Sequence, residues 1–469
     1  MLIVMKFGGT SVGSVAALQR VVGIIKKARA QGDEVIVIVS AMSRVTDLLL
    51  NGARQAEAGD VSTGLRAHEQ IWAKHAEVIE AFLADSRWQG PLSAEIRALL
   101  DEFDSLCHSI CVLGELTPRA LDVIAGMGER MSARQVSAVL ERHNIPAQAI
   151  DATQLIITDD CYGSASPLMP HTAEHSQALI NPLINAGKVP VVTGFIGATE
   201  QGIPTTLGRG GSDYSATILG RALGADEVWI WTDVNGVMTA DPRVVPSART
   251  IPRLSYAEVG EMAYFGAKVL HPQAIRPVRR SVIPVRILNT FQPEHPGTLI
   301  TKDPDGANQT VKAITAIKGL SLITIEGAGM IGVPGVAART FGAVARTGTS
   351  VLMISQSSSE QSICFVVPSP EAAKVIAALE QEMGRELERR DIERIWAQDN
   401  IVILAVVGAG MKGTPGIASR IFGALGAHHI NVIAIAQGSS EYNISLVVAY
   451  GDGDEAVRRI HEEFKLGNA

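Results

Sequence analysis

Residues 2–40 read LIVMKFGGTSVGSVAALQRVVGIIKKARAQGDEVIVIVS. Leu2–Phe7 is a short apolar run, and Gly8–Ser14 is a glycine-rich turn. Val15–Gln31 has helical periodicity, and Glu34–Ser40 is a continuous β-branched run. Strands that are apolar throughout, rather than alternating, belong in a parallel sheet covered on both faces. This strand–turn–helix–strand unit predicts α/β architecture. Outward from it, strands of the same kind return at Ala147–Ile150, Val189–Thr193 and Glu227–Thr232. Helical stretches such as Glu129–His143 and Ser215–Leu223 lie between them. Residues 52–118 interrupt the alternation. They are rich in Ala, Glu, Leu, Arg and His and poor in β-branched residues, and they predict a helical insertion that either pads the fold or forms a lid.

The composition narrows the class. The chain has 469 residues, length for about three domains. Its net charge of −7 carries no basic excess, which argues against a nucleic-acid partner. The longest apolar runs, such as Val35–Val39, fall far short of the roughly 18 residues of a membrane helix. The first residues lack a basic n-region and a long apolar core, so no secretion signal is expected and the compartment is expected to be the cytoplasm. Cys107 and Cys111, with His108 between them, have no second pair to complete a zinc site. With Cys161 and Cys364 they are expected to be buried, reduced thiols.

Residues 291–312 hold two Pro-containing segments, FQPEHPGT and KDPDGANQ, that mark a junction. Beyond it the chain repeats itself. Gly327-Ala-Gly-Met330 returns as Gly408-Ala-Gly-Met411, an offset of 81 residues (408 minus 327). The same offset pairs Pro334-Gly335 with Pro415-Gly416, Phe341-Gly342-Ala343 with Phe422-Gly423-Ala424, and Gln356 with Gln437. These are two copies of one module, each reading strand, Gly/Pro loop, helix, strand, strand, helix. Each contains a G-x-G-x-x-G, but no ribose-gripping acid ends the next strand and no crossover helix follows. Dinucleotide binding is therefore not expected. The chain also has no G-x-x-x-x-G-K-[ST], which argues against a P-loop enzyme.

The chemistry-bearing segments lie in the first 290 residues. Lys6-Phe-Gly-Gly-Thr-Ser11 places a lysine at a strand end over Gly8 and Gly9. Backbone N–H groups at a turn entering a helix bind phosphate, and the lysine adds a charge. Gly208-Arg-Gly-Gly-Ser-Asp213 is a second glycine loop opening a helix. Arg209 suits a carboxylate, and Asp213 suits orienting cations or a metal. Thr232 and Asp233 end a strand where ligands sit in open α/β sheets. Lys268, in Phe265-Gly-Ala-Lys-Val-Leu-His-Pro272, is a further cation, and His271 reads as a helix cap.

Together these segments resemble the aspartate kinases of the amino acid kinase family. The resemblance is carried by KFGGTS (6–11), VSAMSRVTDLL (39–49), GER (128–130), GRGGSD (208–213), TDVNGVMTADPR (232–243) and FGAKVLHP (265–272). The repeats resemble paired ACT modules. The resemblance implies a three-layer α/β/α kinase domain over residues 1–300, with the helical insertion at about 52–118. ACT modules of βαββαβ-like form would follow at 313–395 and 400–469. It implies ATP and Mg²⁺ as cofactors and transfer of phosphate to the β-carboxylate of L-aspartate, the entry step to lysine, threonine and methionine. By position, Lys6, Asp213 and Lys268 would be catalytic, while Thr46, Glu129 and Arg209 would hold the amino acid. Lys6, Gly8, Gly9, Thr232, Asp233, Met238, Arg243 and Lys268 would line the nucleotide site. Met238 departs from the tyrosine many members carry there, though an apolar side chain still suits packing on adenine.

The nucleophile of such a reaction is already ionised at neutral pH, so no general base is required. Arg209 matches an α-carboxylate and Glu129 an α-ammonium. Beside another amino acid kinase acting on a different carboxylate, from which Arg209 and Glu129 discriminate by requiring a zwitterionic substrate, the rival readings are a catalytically inactive ACT-containing amino-acid sensor and a bifunctional kinase–dehydrogenase. Retention of Lys6, Asp213 and Lys268 argues against the first. The chain stopping at Ala469, directly after the second repeat, argues against the second. Gln356 and Gln437 end equivalent strands before Ser/Glu segments. An amide that donates and accepts suits a hydroxyl-bearing amino acid, so threonine is expected as effector before lysine. A homodimer or homotetramer is expected to form through the ACT modules.

Overall fold

The computed structural model describes residues 1–266, 270–303, 310–357, 359 and 361–467. By contact it divides into two units. The first comprises Met1–Val237, Thr250–Tyr256 and the described residues from 270 to 303. The second comprises Met238–Arg249, residues 257–266 and the described residues from 310 onward.

In the first unit, the described residues form a sheet in the order Ala147–Ile150, Val189–Thr193, Glu34–Val39, Leu2–Phe7, Glu227–Thr232, Val285–Asn289, Thr298–Thr301, Arg253–Ser255. All neighbours run parallel except Thr298–Thr301 against Val285–Asn289. Leu2–Phe7 lies at the centre, in register Lys6↔Ile38 on one side and Lys6↔Ile230 on the other. Helices cover both faces. Ile3, Met5, Phe7, Val35, Val37 and Val39 enter one core with the helix Val15–Ala30 and the helices of the insertion. Gly211–Leu223 packs on the opposite face of the same strands. The expected three-layer α/β/α arrangement is present.

The insertion is helical, as expected: Val45–Glu57, Ser62–Leu83 and Gln89–Leu113, followed by Pro118–Ala125. It is no detached lid. Leu49, Ala53, Ile71, Val78, Leu83, Leu100, Phe103 and Cys107 are buried in the same core as the sheet. Cys107 accordingly fits the expectation of a buried thiol, and burial beside Asp104 pushes it up to about 11. The four cysteines are free, but Cys161 is exposed and Cys111 and Cys364 only half-buried, so burial was expected of too many. Cys161 lies in a polar loop, where no apolar face is available to cover it. Among the described residues no helix is long and apolar enough to cross a membrane.

In the second unit the two repeats share one antiparallel sheet, in the order Met353–Gln356, Ser362–Pro368, Ala313–Glu326, Arg394–Val407, Asn443–Ala449, Ala434–Gln437. Its spine is the pairing of the two long strands, from Ala313↔Val407 to Glu326↔Arg394. Arg394–Val407 is one strand that spans the expected module bounds at 395 and 400. Each repeat has its own core, around Phe365 in the first and Leu446 in the second. The strands after the G-x-G-x-x-G of the first repeat pair antiparallel, without the parallel crossover of a dinucleotide fold. After Ala372–Glu382 the first repeat continues through Gly384–Arg389 into the start of Arg394–Val407, whose Ile395 and Ala397 pack on its core, so it has the expected βαββαβ-like order.

Two segments expected in the kinase domain belong to this unit. Ala240 and Val245 are buried in the second repeat's core. Thr239 Oγ1 lies 3.0 Å from His461 Nε2, and Arg249 donates to the Leu466 carbonyl at 2.8 Å. Glu258 is fully buried, 2.9 Å from Lys312 Nζ, and accepts the Ala409 N–H at 2.8 Å.

Candidate active site

Lys6 is the last residue but one of the central strand, and Asp213 stands in the first turn of Gly211–Leu223. Lys6 Nζ lies 2.6 Å from Asp213 Oδ1, with both side chains largely shielded from water. A carboxylate in the first turn suits the helix dipole, and here it holds the ammonium at the carboxyl end of the sheet. Two backbone approaches make this possible. A Cβ on Gly9 would stand 2.8 Å from the Ala41 carbonyl oxygen, so only glycine lets the first turn lie against residues 41–43, where Ser43 N–H donates to Gly9 O at 3.1 Å. Gly210 has φ +72°, and a Cβ there would collide with His271. His271 itself caps Pro272–Ser281, accepting from Gln273 N–H at 3.4 Å, as expected.

A cavity of about 730 Å³ opens beside this ion pair. It is lined by Lys6, Gly9, Thr46, Glu129, Arg209 and Asp213, so six of the sequence-derived residues come together. Gly8 does not line it. Its N–H donates to the Trp231 carbonyl at 3.1 Å, so that donor serves the neighbouring strand rather than an anion. Glu129 is the most perturbed group. It starts the buried helix Met127–Arg142, and one carboxylate oxygen has no hydrogen-bond partner. Desolvation pushes it up to about 8, against the opposing pull of the Ala41 and Glu129 N–H groups and the Lys6 charge. The cavity thus presents exposed Arg209 for an anion and a dry, unsatisfied carboxylate for a cation.

Sequence reasoning passed over several residues here. Asp122 is buried and accepts four hydrogen bonds, from Gly163 N–H at 3.1 and 2.9 Å and from Thr206 N–H at 2.9 Å and Oγ1 at 2.7 Å. Its three donors, with the Gly163 N–H shared between both oxygens, tie Gly163 to Thr206 at the cavity wall. Arg44 and Phe195 line the cavity with φ +70° and +69°, in the left-handed region that costs a non-glycine residue on the order of 1 kcal/mol or more. Nothing in the sequence signals either. Arg44 adds a second guanidinium to the wall.

The expected nucleotide residues are placed apart. Thr232 and Asp233 end the strand beside Leu2–Phe7, with Thr232 Oγ1 donating to Asp233 Oδ1 at 3.3 Å, and neither lines the cavity. Met238 and Arg243 belong to the second unit, where exposed Arg243 pairs with Asp241 at 2.6 Å. Lys268 lies outside the described residues. In the second unit, Gln356 lines a cavity of about 300 Å³ with Met330, Gly332–Ala337 and Ile363. Gln437 occupies the equivalent strand end of the second repeat and is exposed outside that cavity. Ser358 and Glu360 of the first repeat's polar segment lie outside the described residues.

The family model described as the amino acid kinase family matches residues 1–289, and that described as the ACT domain matches 323–383 and 404–464. The chain is 38% identical over 466 residues to the chloroplastic bifunctional aspartokinase/homoserine dehydrogenase 1 of Zea mays, covering 98% of this chain and 50% of that one. It is 33% identical over 479 residues to the chloroplastic aspartokinase 2 of Arabidopsis thaliana, covering 98% and 84%. The crystal structure of E. coli aspartokinase III with aspartate and ADP, in its R-state, superposes with TM-score 0.83 at 30% identity over 99% of both chains. That of the same protein with lysine and aspartate, in its T-state, gives 0.77 at 30% identity. The chain spans about half the length of the bifunctional relatives it matches. It belongs to the amino acid kinase family and, within it, to the aspartokinases.

Glu129 sets a stability test. Its pKa is raised on folding, so ionising it costs stability as pH rises through the window from about 4.5 to about 8. Glu129→Gln removes that cost. In denaturant titrations of the ligand-free protein, the variant gains on wild type by roughly 3 kcal/mol between pH 5 and pH 8. A difference independent of pH refutes the buried, unpartnered carboxylate.

Proposed function

We propose that the chain is an aspartokinase, transferring the γ-phosphate of ATP to the β-carboxylate of L-aspartate to give 4-phospho-L-aspartate. The supporting observation is the pairing of opposite needs in one cavity: a desolvated Glu129 with an unpartnered oxygen, and exposed Arg209. An α-amino acid carries the matching ammonium and carboxylate. In this reading Thr46 completes the amino-acid side. The β-carboxylate oxygen bonds to the γ-phosphorus, the bond to the bridging oxygen breaks, and ADP leaves. The attacking carboxylate is ionised at neutral pH, so the wall needs no base. What it must supply is positive charge, because an anion approaches a polyanion.

Lys6 gives that charge, and Asp213 fixes where it stands. Lys268, Thr232, Asp233, Met238 and Arg243 belong to the nucleotide side in this proposal, as the family motif implies. Mg²⁺ usually binds through one or two carboxylates plus substrate phosphates. Asp213, a carboxylate at the cavity wall, fits that donor set, and the ion would neutralise phosphate charge when bound. An inactive sensor is the competing reading. ATP and L-aspartate turnover, trapped with hydroxylamine as the acyl hydroxamate, separates them. Wild type is expected to turn over, and Lys6→Met to lose about 10²-fold or more in kcat, the scale of one preorganised charge. A folded Lys6→Met protein with normal kcat removes Lys6 from the chemistry.

The C-terminal repeats are proposed to bind an amino-acid effector, and threonine rests only on the amide chemistry of Gln356 and Gln437. The lysine-bound E. coli structure lends threonine no support. Gln356 has a cavity beside it and Gln437 does not line one in common, so the first repeat is the favoured site. Inhibition by threonine or lysine should weaken several-fold in Gln356→Ala with kcat unchanged. An unshifted inhibition curve for both amino acids discards that site.

Self-association through the repeats is also proposed. Ile354 and Ile435 lie on the outermost strands of the shared sheet and are 50% and 44% exposed, and Ile331 and Val333 on the loop of the first repeat are exposed too. Light scattering should give a dimer or tetramer mass. A monomer at tens of micromolar would end the idea.

A further inference from the structure

The helical insertion carries one buried polar contact that reaches the site. His75, on Ser62–Leu83, is fully buried, and its Nδ1 lies 2.7 Å from Gln135 Oε1. An amide oxygen only accepts, so Nδ1 carries the proton. Burial holds the ring well below its usual range, at about 4, so it is neutral, and Nε2 keeps a lone pair with no partner. Gln135 is buried too. Its other amide atom, Nε2, points to Met42 Sδ at 3.7 Å. The bond from His75 therefore decides which way the Gln135 amide faces.

One end of this relay, Met42, reaches the cavity wall. Gln135 shares the helix Met127–Arg142 with Glu129. Met42 lines the cavity between Ala41, whose N–H favours the Glu129 carboxylate, and left-handed Arg44. Val45 N–H closes the turn onto Met42 O at 2.9 Å, so a shift of Met42 moves the start of the helix that carries Thr46. A buried imidazole N–H needs an acceptor, and the one it meets here is an amide on the helix that carries Glu129. We infer that His75 is a positioning residue for the amino-acid substrate, through which the insertion holds the Ala41–Arg44 turn against Glu129 by way of Gln135 and Met42. The inference rests on the aspartokinase reading.

The test is steady-state kinetics of His75→Leu, His75→Asn and Gln135→Leu. The Asn amide nitrogen falls close to the place of Nδ1 and can donate to Gln135. His75→Leu should raise KM for aspartate about tenfold, the scale of one buried polar group left unpaired. KM for ATP should stay within about twofold, and His75→Asn within about threefold of wild type on both. Gln135→Leu should reproduce the aspartate effect, and the double variant should be no worse than either single one, since both break the same chain. If His75→Leu does not fold, Gln135→Leu and His75→Asn decide alone. An unchanged KM for aspartate overturns the inference. So does an equal rise in both KM values that Asn fails to rescue, because that is packing alone. Wild type without aspartate-dependent turnover refutes the functional reading instead. Calorimetric binding of L-aspartate to wild type and variants then decides this one, with equal affinities rejecting it.

Discussion

A carboxylate kept dry with one oxygen unpaired is a cost the fold carries until a cation arrives, and Glu129 is such a group. Much of the first unit is arranged around that cost. The helix Met127–Arg142 is buried over most of its length, so Glu129 cannot swing out to water. A Cβ on Gly128 would meet that of Ala41 at 2.6 Å, so the neighbouring turn presses on the helix where the carboxylate begins. Water that would stabilise the ionised acid is excluded by the same contacts that would hold an ammonium beside it. In the proposed function, selectivity for a zwitterion would rest on this carboxylate together with Arg209. A ligand lacking the cation leaves the acid unpaired, and one lacking the carboxylate leaves Arg209 in solvent.

The Lys6–Asp213 pair works on different terms. Both side chains keep slight access to solvent, and the two residues come from a strand end and a helix start more than 200 positions apart. Desolvating such a pair offsets most of its attraction, so its value is geometric. It fixes one positive charge at the carboxyl edge of the sheet, where the central strands Leu2–Phe7 and Glu227–Thr232 both end. A flexible lysine without its carboxylate would supply the same charge but not the same place, and charge stabilisation of a transferring phosphate depends on place.

How much of this could be read from the chain varies with its physical origin. The parallel sheet was legible because a strand buried on both faces is apolar throughout, as in Val35–Val39. Lys6, Gly9, Arg209 and Asp213 were legible because glycine density and charge type are sequence properties. Arg44 and Phe195 were not, since a left-handed residue that is neither Gly nor Asn leaves no trace in composition. Asp122 looked like any helical acid, and only the fold brings Gly163 and Thr206 to it. The repeat was plain from its constant offset. A 14-residue strand in each copy pairs with the other, so the two modules are joined edge to edge into one continuous sheet. The segment after Asp233 could not be assigned. Ala240 and Val245 are apolar residues in a loop-like stretch, and which core receives them is decided by residues some 200 positions later.

That last point bears on how the two units are related through the chain itself. The polypeptide leaves the first unit after Val237, returns at Thr250, leaves again after Tyr256 and is back by residue 270. Each excursion is tied down in the second unit by buried polar contacts: Thr239 to His461 for the first, Glu258 to Lys312 and the Ala409 N–H for the second. Breaking one of these leaves a buried donor or acceptor unpaired, which costs more than a surface contact of the same kind. Of the residues that the family resemblance assigns to the nucleotide, Met238 and Arg243 lie on the first excursion, while Thr232 and Asp233 stay in the first unit.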